Sequence, residues 1–382
     1  MQLSDSKRAS KLARSIAEVR KSSFVSIETA GRKPAELYIP HLRLYNQRIS
    51  HTNFTKPEEV VEHMGALQGQ DYLMSLWAIG LRTKSATEKD IEQAVIDKKI
   101  VRTWPMRRTL HWVSAKDVHW MVGLSSEKLI KQYGAHMPQL GLTDEMLKTA
   151  RNVVTKLLSD GKPKTRDEIY RHFTEAHVPV DQSRGIHILW RLGQEALVCF
   201  GPREGKQQTF VLLDQWLPKK RDISRDEAIA EVVLKYFASH GPATIHDLAW
   251  WSGLTIADVK RGIAAVAGKL IEHKIEGKSF FTGLLEGKIV QGNSAYLLPS
   301  FDEYFISYKD RSHIIDDHHK EDVNRGLNGF FNPIIVIQGR VEGTWKREVK
   351  KGTVLVHPAF FKNEQADIEG QVRRFREFLG LT

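Results

Sequence analysis

Lys164-Thr165-Arg166-Asp167-Glu168-Ile169-Tyr170-Arg171-His172-Phe173 is the stretch from which the rest of the chain can be read. It predicts a capped helix. Thr165 can accept from the backbone N–H groups of the first turn, and Glu168 stands at the capping-box spacing. A turn holding Pro179 follows, then a second helix from Ser183 to Glu195 with Ile186, Leu189, Trp190 and Leu197 at core spacing. Leu197-Val198-Cys199-Phe200 reads as a strand, Gly201-Pro202-Arg203-Glu204-Gly205-Lys206 as a polar turn, and Thr209-Phe210-Val211-Leu212-Leu213 as the return strand.

Working outward, the same layout recurs downstream. After Ser224, the segment Asp226 to Ser239 places Ile229, Val232, Val233, Tyr236 and Phe237 on one face, and Gly241-Pro242 ends it. Thr244 to Trp251 is a short helix, Ser252-Gly253-Leu254 a turn, and Thr255 to Val266 a second helix. Leu270-Ile271-Glu272-His273 and Ser279-Phe280-Phe281 then form a hairpin across Glu276-Gly277-Lys278. A more degenerate copy runs from about Pro57 to Val122. Helix, turn, helix and hairpin make the winged-helix pattern. Three copies predict an α+β chain of tandem winged-helix units. Winged helices also mediate protein contacts, so the pattern alone does not fix a ligand.

The expected organisation is a basic leader at residues 1–36, winged-helix units at 37–140, 141–220 and 221–292, and a C-terminal portion at 293–382. That last portion carries strand-like runs at Ala295 to Pro299, Ile334 to Ile337, Val341 to Lys350 and Thr353 to Val356. A small antiparallel β-barrel is expected there, closed by a helix from Gln365 to Leu379. The leader interleaves Lys7, Arg8, Lys11, Arg14, Arg20 and Lys21 with Ser and Ala and lacks the apolar core of a signal peptide.

The chain has 57 Lys and Arg against 46 Asp and Glu, a net charge of +11, which favours a polyanionic partner through counterion release. The single cysteine, Cys199, excludes a disulfide framework within the chain and reads as a core residue in an apolar strand. No apolar run reaches the roughly 18 residues of a membrane span.

The common catalytic signatures GxSxG, Walker loop, HExxH and CxxC are missing. His313, His318, His319, Asp316 and Asp317 cluster in sequence, but the stretch reads as a solvated loop and no metal is expected. Adjacent residues on a helix diverge by about 100°, so one of Trp250 and Trp251 is expected in the core. Two segments of the first copy are less ordinary: Met64-Gly65-Ala66-Leu67-Gln68-Gly69-Gln70-Asp71-Tyr72, and Arg102-Thr103-Trp104-Pro105-Met106-Arg107-Arg108-Thr109-Leu110-His111-Trp112. In an extended backbone Gln68 and Gln70 face one way, whereas on a helix they diverge by about 200°. Gly69 permits close backbone approach to a ligand.

Leu67 to Gln70, Met106 to His111, Asp247 to Leu254, Leu298 to Tyr304, Tyr308 to Ser312 and Gly339 to Trp345 occur in the order in which they stand in one known group. On these motifs the chain resembles the bacterial winged-helix DNA glycosylases, the AlkZ/YcaQ-like family. The resemblance runs from about Tyr45 to Trp345. It implies three winged-helix units and a β-barrel around a DNA channel, and a catalytic Gln-x-Gln matched by Gln68 and Gln70. Two positions depart from the pattern: Gly69 replaces a larger apolar residue, and Arg108 stands where glycine is common.

The chemistry implied is hydrolysis of the N-glycosidic bond of a cationic alkylated purine of the N7-alkylguanine type, including bulky or crosslinked adducts. Such a base leaves easily. What remains is to place a water and stabilise positive charge on the sugar, which an amide oxygen can do. Gln70 is assigned to the water and Gln68 to the charge, with the order interchangeable, and Asp71 is the second choice as base. No lysine is placed as a Schiff-base nucleophile, so hydrolysis without strand cleavage is expected, with no cofactor. The partner expected is double-stranded DNA, bound through Arg107, Arg108, His111, Lys278, Arg311, Arg340 and Lys346. A cytoplasmic, nucleoid-associated bacterial monomer is expected. The alternatives are a non-catalytic winged-helix DNA-binding protein or transcriptional regulator, and a protein-interaction scaffold. A regulator would normally need a dimer interface for paired half-sites, and no heptad run or spare amphipathic helix supplies one.

Overall fold

The computed structural model describes residues 34–284, 295–324, 329–350, 352–362 and 366–381. The basic leader expected at residues 1–36 lies, up to residue 33, outside the described residues.

After α1 (Pro34–Asn46), one order of elements occurs three times. The first round is α2 (Pro57–Met64), β1 (Ala66–Gln68), α3 (Tyr72–Gly80), α4 (Glu88–Ile96), β2 (Ile100–Met106) and β3 (Thr109–Ser114). A long helix, α5 (Val118–Gly134), leads to the second. It comprises α6 (Asp144–Leu158), β4 (Lys164–Thr165), α7 (Arg166–Glu175), α8 (Arg184–Gln194), β5 (Val198–Phe200) and β6 (Thr209–Leu212). The third is α9 (Arg225–His240), the bridging residue Ala243, α10 (Ile245–Ser252), α11 (Ile256–Ala265), β7 (Leu270–Ile275) and β8 (Lys278–Gly283). In every round the short first strand pairs antiparallel with the last: β1 with β3, β4 with β6, and Ala243 with Phe281 of β8.

Local chemistry sets the helix starts. Thr165 with Glu168, Ser224 with Glu227, and Thr244 with Asp247 each form a reciprocal capping box, worth about 1 kcal/mol per cap. The expectation for α8 needs one correction. Ile186 is exposed, and Ile188, Leu189 and Leu192 supply its core face.

Among the described residues the strands form three antiparallel sheets: β1-β3-β2-β5-β6-β4, β7-β8, and a four-stranded C-terminal sheet. The first two rounds thus share one sheet, joined where Arg102 of β2 faces Phe200 of β5. Strand β2 is buried along its whole length, because it faces a different core on each side. Ile100 packs into a core with α3 and the C-terminal sheet, Val101 and Met106 into one with the third round, and Trp104 into one with the second. Cys199 is fully buried in the third-round core.

The C-terminal sheet is built from β9 (Ala295–Leu298), β10 (Ile334–Ile337), β11 (Arg340–Lys350) and β12 (Thr353–Phe360). It is open, not the closed barrel expected: β9 and β12 are its edges and do not pair among the described residues. Four strands cannot curl into a closed ring around side chains as large as these. Instead Trp345 and helix α12 (Glu369–Phe378) fill the face, with the Phe375 ring 5.2 Å from Trp345 and 5.1 Å from Trp77. Gly80 allows this docking, since a Cβ there would lie 2.4 Å from the Phe378 ring. Among the described residues no helix is long and apolar enough to cross a membrane.

Candidate active site at the end of the first strand

Gln68 ends β1 opposite His111, and Gly69 extends the ladder by donating its N–H to Leu110 O at 2.6 Å. The backbone therefore stays extended as far as Gly69 and bends at Gln70, and neither glutamine lies on a helix. Gln68 is half-buried and Gln70 exposed. Neither side-chain amide makes a hydrogen bond among the described residues, so both are free for a ligand.

The backbone beneath these amides is fixed from three directions. Glu303 Oε1 accepts from Gln68 N at 2.7 Å. Arg102 Nε donates to Gly69 O at 2.9 Å, and its Nη1 to Gln208 Oε1 at 2.6 Å, so the second round grips the loop through one guanidinium. Asp71 caps α3 by accepting from Met74 N at 3.2 Å, and its other oxygen accepts from Ser300 Oγ at 3.0 Å. Both Asp71 oxygens thus hold structural contacts, one to the start of α3 and one to Ser300.

Glu303 is placed by its neighbour. Asp302 caps the helical turn Glu303–Ile306 and forms a bidentate pair with Arg82 at 2.9 Å, both side chains wholly buried. Glu303 Oε2 accepts from Trp251 Nε1 at 2.9 Å and from Ser307 Oγ, and His240 Nε2 stands 3.6 Å away. Burial alone would raise the pKa of this carboxyl. The groups around it, His240 and Ser307 among them, outweigh burial and hold it below the usual carboxylate range.

The β2–β3 hairpin turns on Arg107 and Arg108 alone, between the paired residues Met106 and Thr109, with φ of 50° and 63°. Two consecutive left-handed residues make a type I′ turn, which favours Asn-Gly. Two arginines there cost roughly 1–2 kcal/mol each. The turn is held in place by its contacts. The Arg108 guanidinium lies 3.9 Å from the Tyr133 ring centre, and Arg107 Cγ sits against Gly253, in the turn after α10. Arg107 Nε and Nη2 are buried without a partner. Burial lowers its pKa, and the Glu303 charge opposes that.

His111 is not the surface contact expected. It is wholly buried, because β3, like β2, faces cores on both sides. Its Nδ1 donates to Thr109 O at 3.0 Å, which leaves Nε2 as an unpartnered acceptor. Burial, aided by the Arg107 charge, pulls its pKa down to about 4, so the ring is neutral.

The remaining basic residues fall into two groups. Lys346 is exposed on β11. Lys278 is also exposed, at the start of β8, 3.6 Å from Asp310. Arg340 is committed to Asp316, and Arg311 is largely enclosed, donating to Phe305 O at 2.7 Å with its guanidinium 5.0 Å from the Phe305 ring centre. Arg311 lies near enough to Arg107 for the two charges to interact. Of the Trp pair, Trp251 is core and Trp250 is half exposed. In the histidine-rich loop, His319 stacks 4.1 Å from Phe361 and pairs with Asp322 at 3.1 Å.

Sequence reasoning gave no part to Arg102 or Glu303, although both stand inside the stretches quoted above and both bond the backbone beside Gln68. It also missed an aromatic group beside Asp71. Phe301, next to Ser300, is left-handed at φ 58° and meets Phe331 at 5.7 Å and the exposed Phe330 at 6.5 Å.

Two free amides on a backbone anchored in this way can orient a water and present carbonyl dipoles to a developing cation. The chain is similar to known proteins over most of its length. A curated relative from Streptomyces sahachiroi, the interstrand DNA cross-link repair glycosylase, is 22% identical over 324 residues, covering 80% of this chain and 85% of that protein. The solved structure of the Streptomyces sahachiroi DNA glycosylase AlkZ superposes with a TM-score of 0.74 at 22% identity, over 92% of this chain and 98% of that one. The family model for AlkZ-like DNA glycosylases matches residues 61–378, from α2 through α12, and the chain belongs to that family.

Proposed function

We propose that this DNA glycosylase hydrolyses the N-glycosidic bond of cationic N7-alkylated purines in duplex DNA, with Gln68 and Gln70 as its catalytic pair. The observation that carries the reading is the contrast at β1: the backbone of the loop is anchored by Glu303, Arg102 and Leu110, while both glutamine amides stay free. Preorganised dipoles of this kind need no rearrangement as charge develops.

In the proposed reaction the C1′–N9 bond breaks and its electron pair goes to the purine, cancelling the positive charge that alkylation placed there. Water, held by the Gln70 amide oxygen, adds to C1′ and releases a proton to solvent. The Gln68 carbonyl dipole stabilises the sugar cation between these events. The products are a neutral alkylpurine and an intact strand with an abasic site. An amide is a poor proton acceptor, so this arrangement suits bases that leave readily.

The three repeated rounds act as winged helices on the duplex. Arg108, Lys278 and Lys346 contact phosphates, and the more enclosed Arg107, Arg311 and Arg340 supply positive potential from behind. The Streptomyces relative is named for interstrand DNA cross-link repair, which supports including crosslinked adducts in the proposed substrate. The test is single-turnover release of N7-methylguanine and of an N7-linked crosslink, followed by alkali to reveal abasic sites. Gln68→Ala with Gln70→Ala should abolish release and keep duplex affinity. Release that survives this double change would refute the assignment of the pair.

A further inference from the structure

One buried group lies outside the reaction as written, yet touches the strand that carries it. Glu303 Oε1 bonds Gln68 N, and Oε2 gathers Trp251 Nε1 and the Ser307 hydroxyl. The carboxylate thus ties β1 to α10 and to its own helical turn. It is 1% exposed, so its charge is unscreened by water. Among the described residues its one basic neighbour within ion-pair distance is His240, with Nε2 3.6 Å from Oε2. His240 and His111 are driven towards their neutral forms by burial, and Arg107 keeps two nitrogens unpartnered. A fold that needed only a hydrogen-bond acceptor here could use an amide. An ionised carboxylate in such a place costs stability unless its charge is used.

Resting on the assignment of Gln68 and Gln70, we propose that Glu303 is a positioning residue for base release. Its carboxylate sets the height and direction of the Gln68 backbone, and its negative charge lies behind the sugar that becomes cationic. The bond runs through the Gln68 peptide: an N–H drawn to a carboxylate polarises the amide plane and stiffens the strand end from which the side chain projects. Its charge acts across a low-dielectric interior, so it favours the transition state over the neutral-sugar ground state.

The experiment compares Glu303→Gln, Glu303→Ala and Trp251→Phe in single-turnover release from duplexes carrying N7-methylguanine or an N7-linked crosslink, with duplex affinity and melting temperature measured on the same proteins. Glu303→Gln keeps the shape and an oxygen for Gln68 N but loses the charge. Trp251→Phe removes another donor to the same carboxylate but leaves both its charge and its bond to Gln68 N in place, so it reports a weakened anchor without loss of either. The expected result is release about tenfold slower in Glu303→Gln and about a hundredfold slower in Glu303→Ala. Trp251→Phe should stay within about threefold and duplex affinity within about twofold in all three, since this chemistry lies beyond the binding step. Release by Glu303→Gln at the unaltered rate would overturn the proposal. So would slowing matched by Trp251→Phe or by a parallel loss of affinity. If Glu303→Ala does not fold, the other two variants decide. The double glutamine variant separates the two readings. Should it release base normally, the catalytic pair is wrong. Should it fail while Glu303→Gln is unimpaired, only the role of Glu303 falls.

Discussion

Replacing Arg102 with methionine should uncouple activity from stability, and the size of each effect follows from its surroundings. The guanidinium donates to the buried Gly69 carbonyl and to Gln208 Oε1. Bonds from a charged donor contribute roughly 1.5–3 kcal/mol each, so the pair supplies roughly 3–6 kcal/mol. Against this stands burial, which pulls the Arg102 pKa down to about 10. At about 1.4 kcal/mol for each tenfold change in proton affinity, holding the cation there costs roughly 3 kcal/mol. The group's folded pKa is depressed, so this cost is present at neutral pH and fades only above about pH 10. The net loss for Arg102→Met is therefore about 0–3 kcal/mol, a fall of a few degrees in melting temperature. The loss in rate is larger. Freeing the carbonyl between Gln68 and Gln70 lets both amides drift, and a displacement near 1 Å can cost about a hundredfold. Arg102→Lys should not rescue it, because a single ammonium cannot reach both acceptors in the fork geometry. The assay pairs single-turnover release with thermal unfolding. Release within threefold of the unaltered protein would refute the claim that this arginine holds the site.

Two further outcomes follow. His111 is neutral when folded, with a pKa near 4, and takes up a proton more readily once unfolded. Stability should thus be lost as pH falls from about 6.5 towards 4, by about 2 kcal/mol between pH 7 and 5 from this residue alone. Urea unfolding at the two pH values should show a smaller difference for His111→Gln, and an unchanged difference would contradict it. Gly69 has an ordinary backbone conformation, and a Cβ there would meet Arg102 Nε at 3.4 Å and Trp112 Cδ1 at 3.5 Å. Gly69→Ala should therefore fit without displacement, keep release within about twofold, and add about 0.4–1 kcal/mol by restricting the unfolded chain, read as a higher melting temperature.

Much of the repeated architecture was legible because its signals are local. Capping boxes such as Thr165 with Glu168 act within one turn, and the hairpin turns lie beside the strands they join. Gln68 and Gln70 stood out through the motif, and of the two geometries weighed for them the helical one is absent. What the sequence could not show was which distant group meets which. The Glu303 bond to Gln68 spans 235 residues, and nothing near either end announces it. His111 was misplaced for a related reason: alternation marks an outward face only when one side of a strand meets water, and β3 meets protein on both. The barrel failed because strand-like runs reveal pairing partners but not whether the outer two meet.

The sheet shared by the first two rounds has a consequence for modularity. Repeats are often treated as parts that can be trimmed or exchanged. Here a cut between α5 and β4 would strip β5 from the flank of β2, where Arg102 faces Phe200, and leave that strand as a sheet edge, a feature that can recruit other chains. It would also remove Gln208, and with it one of the two acceptors that orient Arg102 beneath the loop. The first two rounds therefore form one inheritable part. Recombination within the family should tolerate joints near residues 217–224, before α9, better than joints inside that sheet.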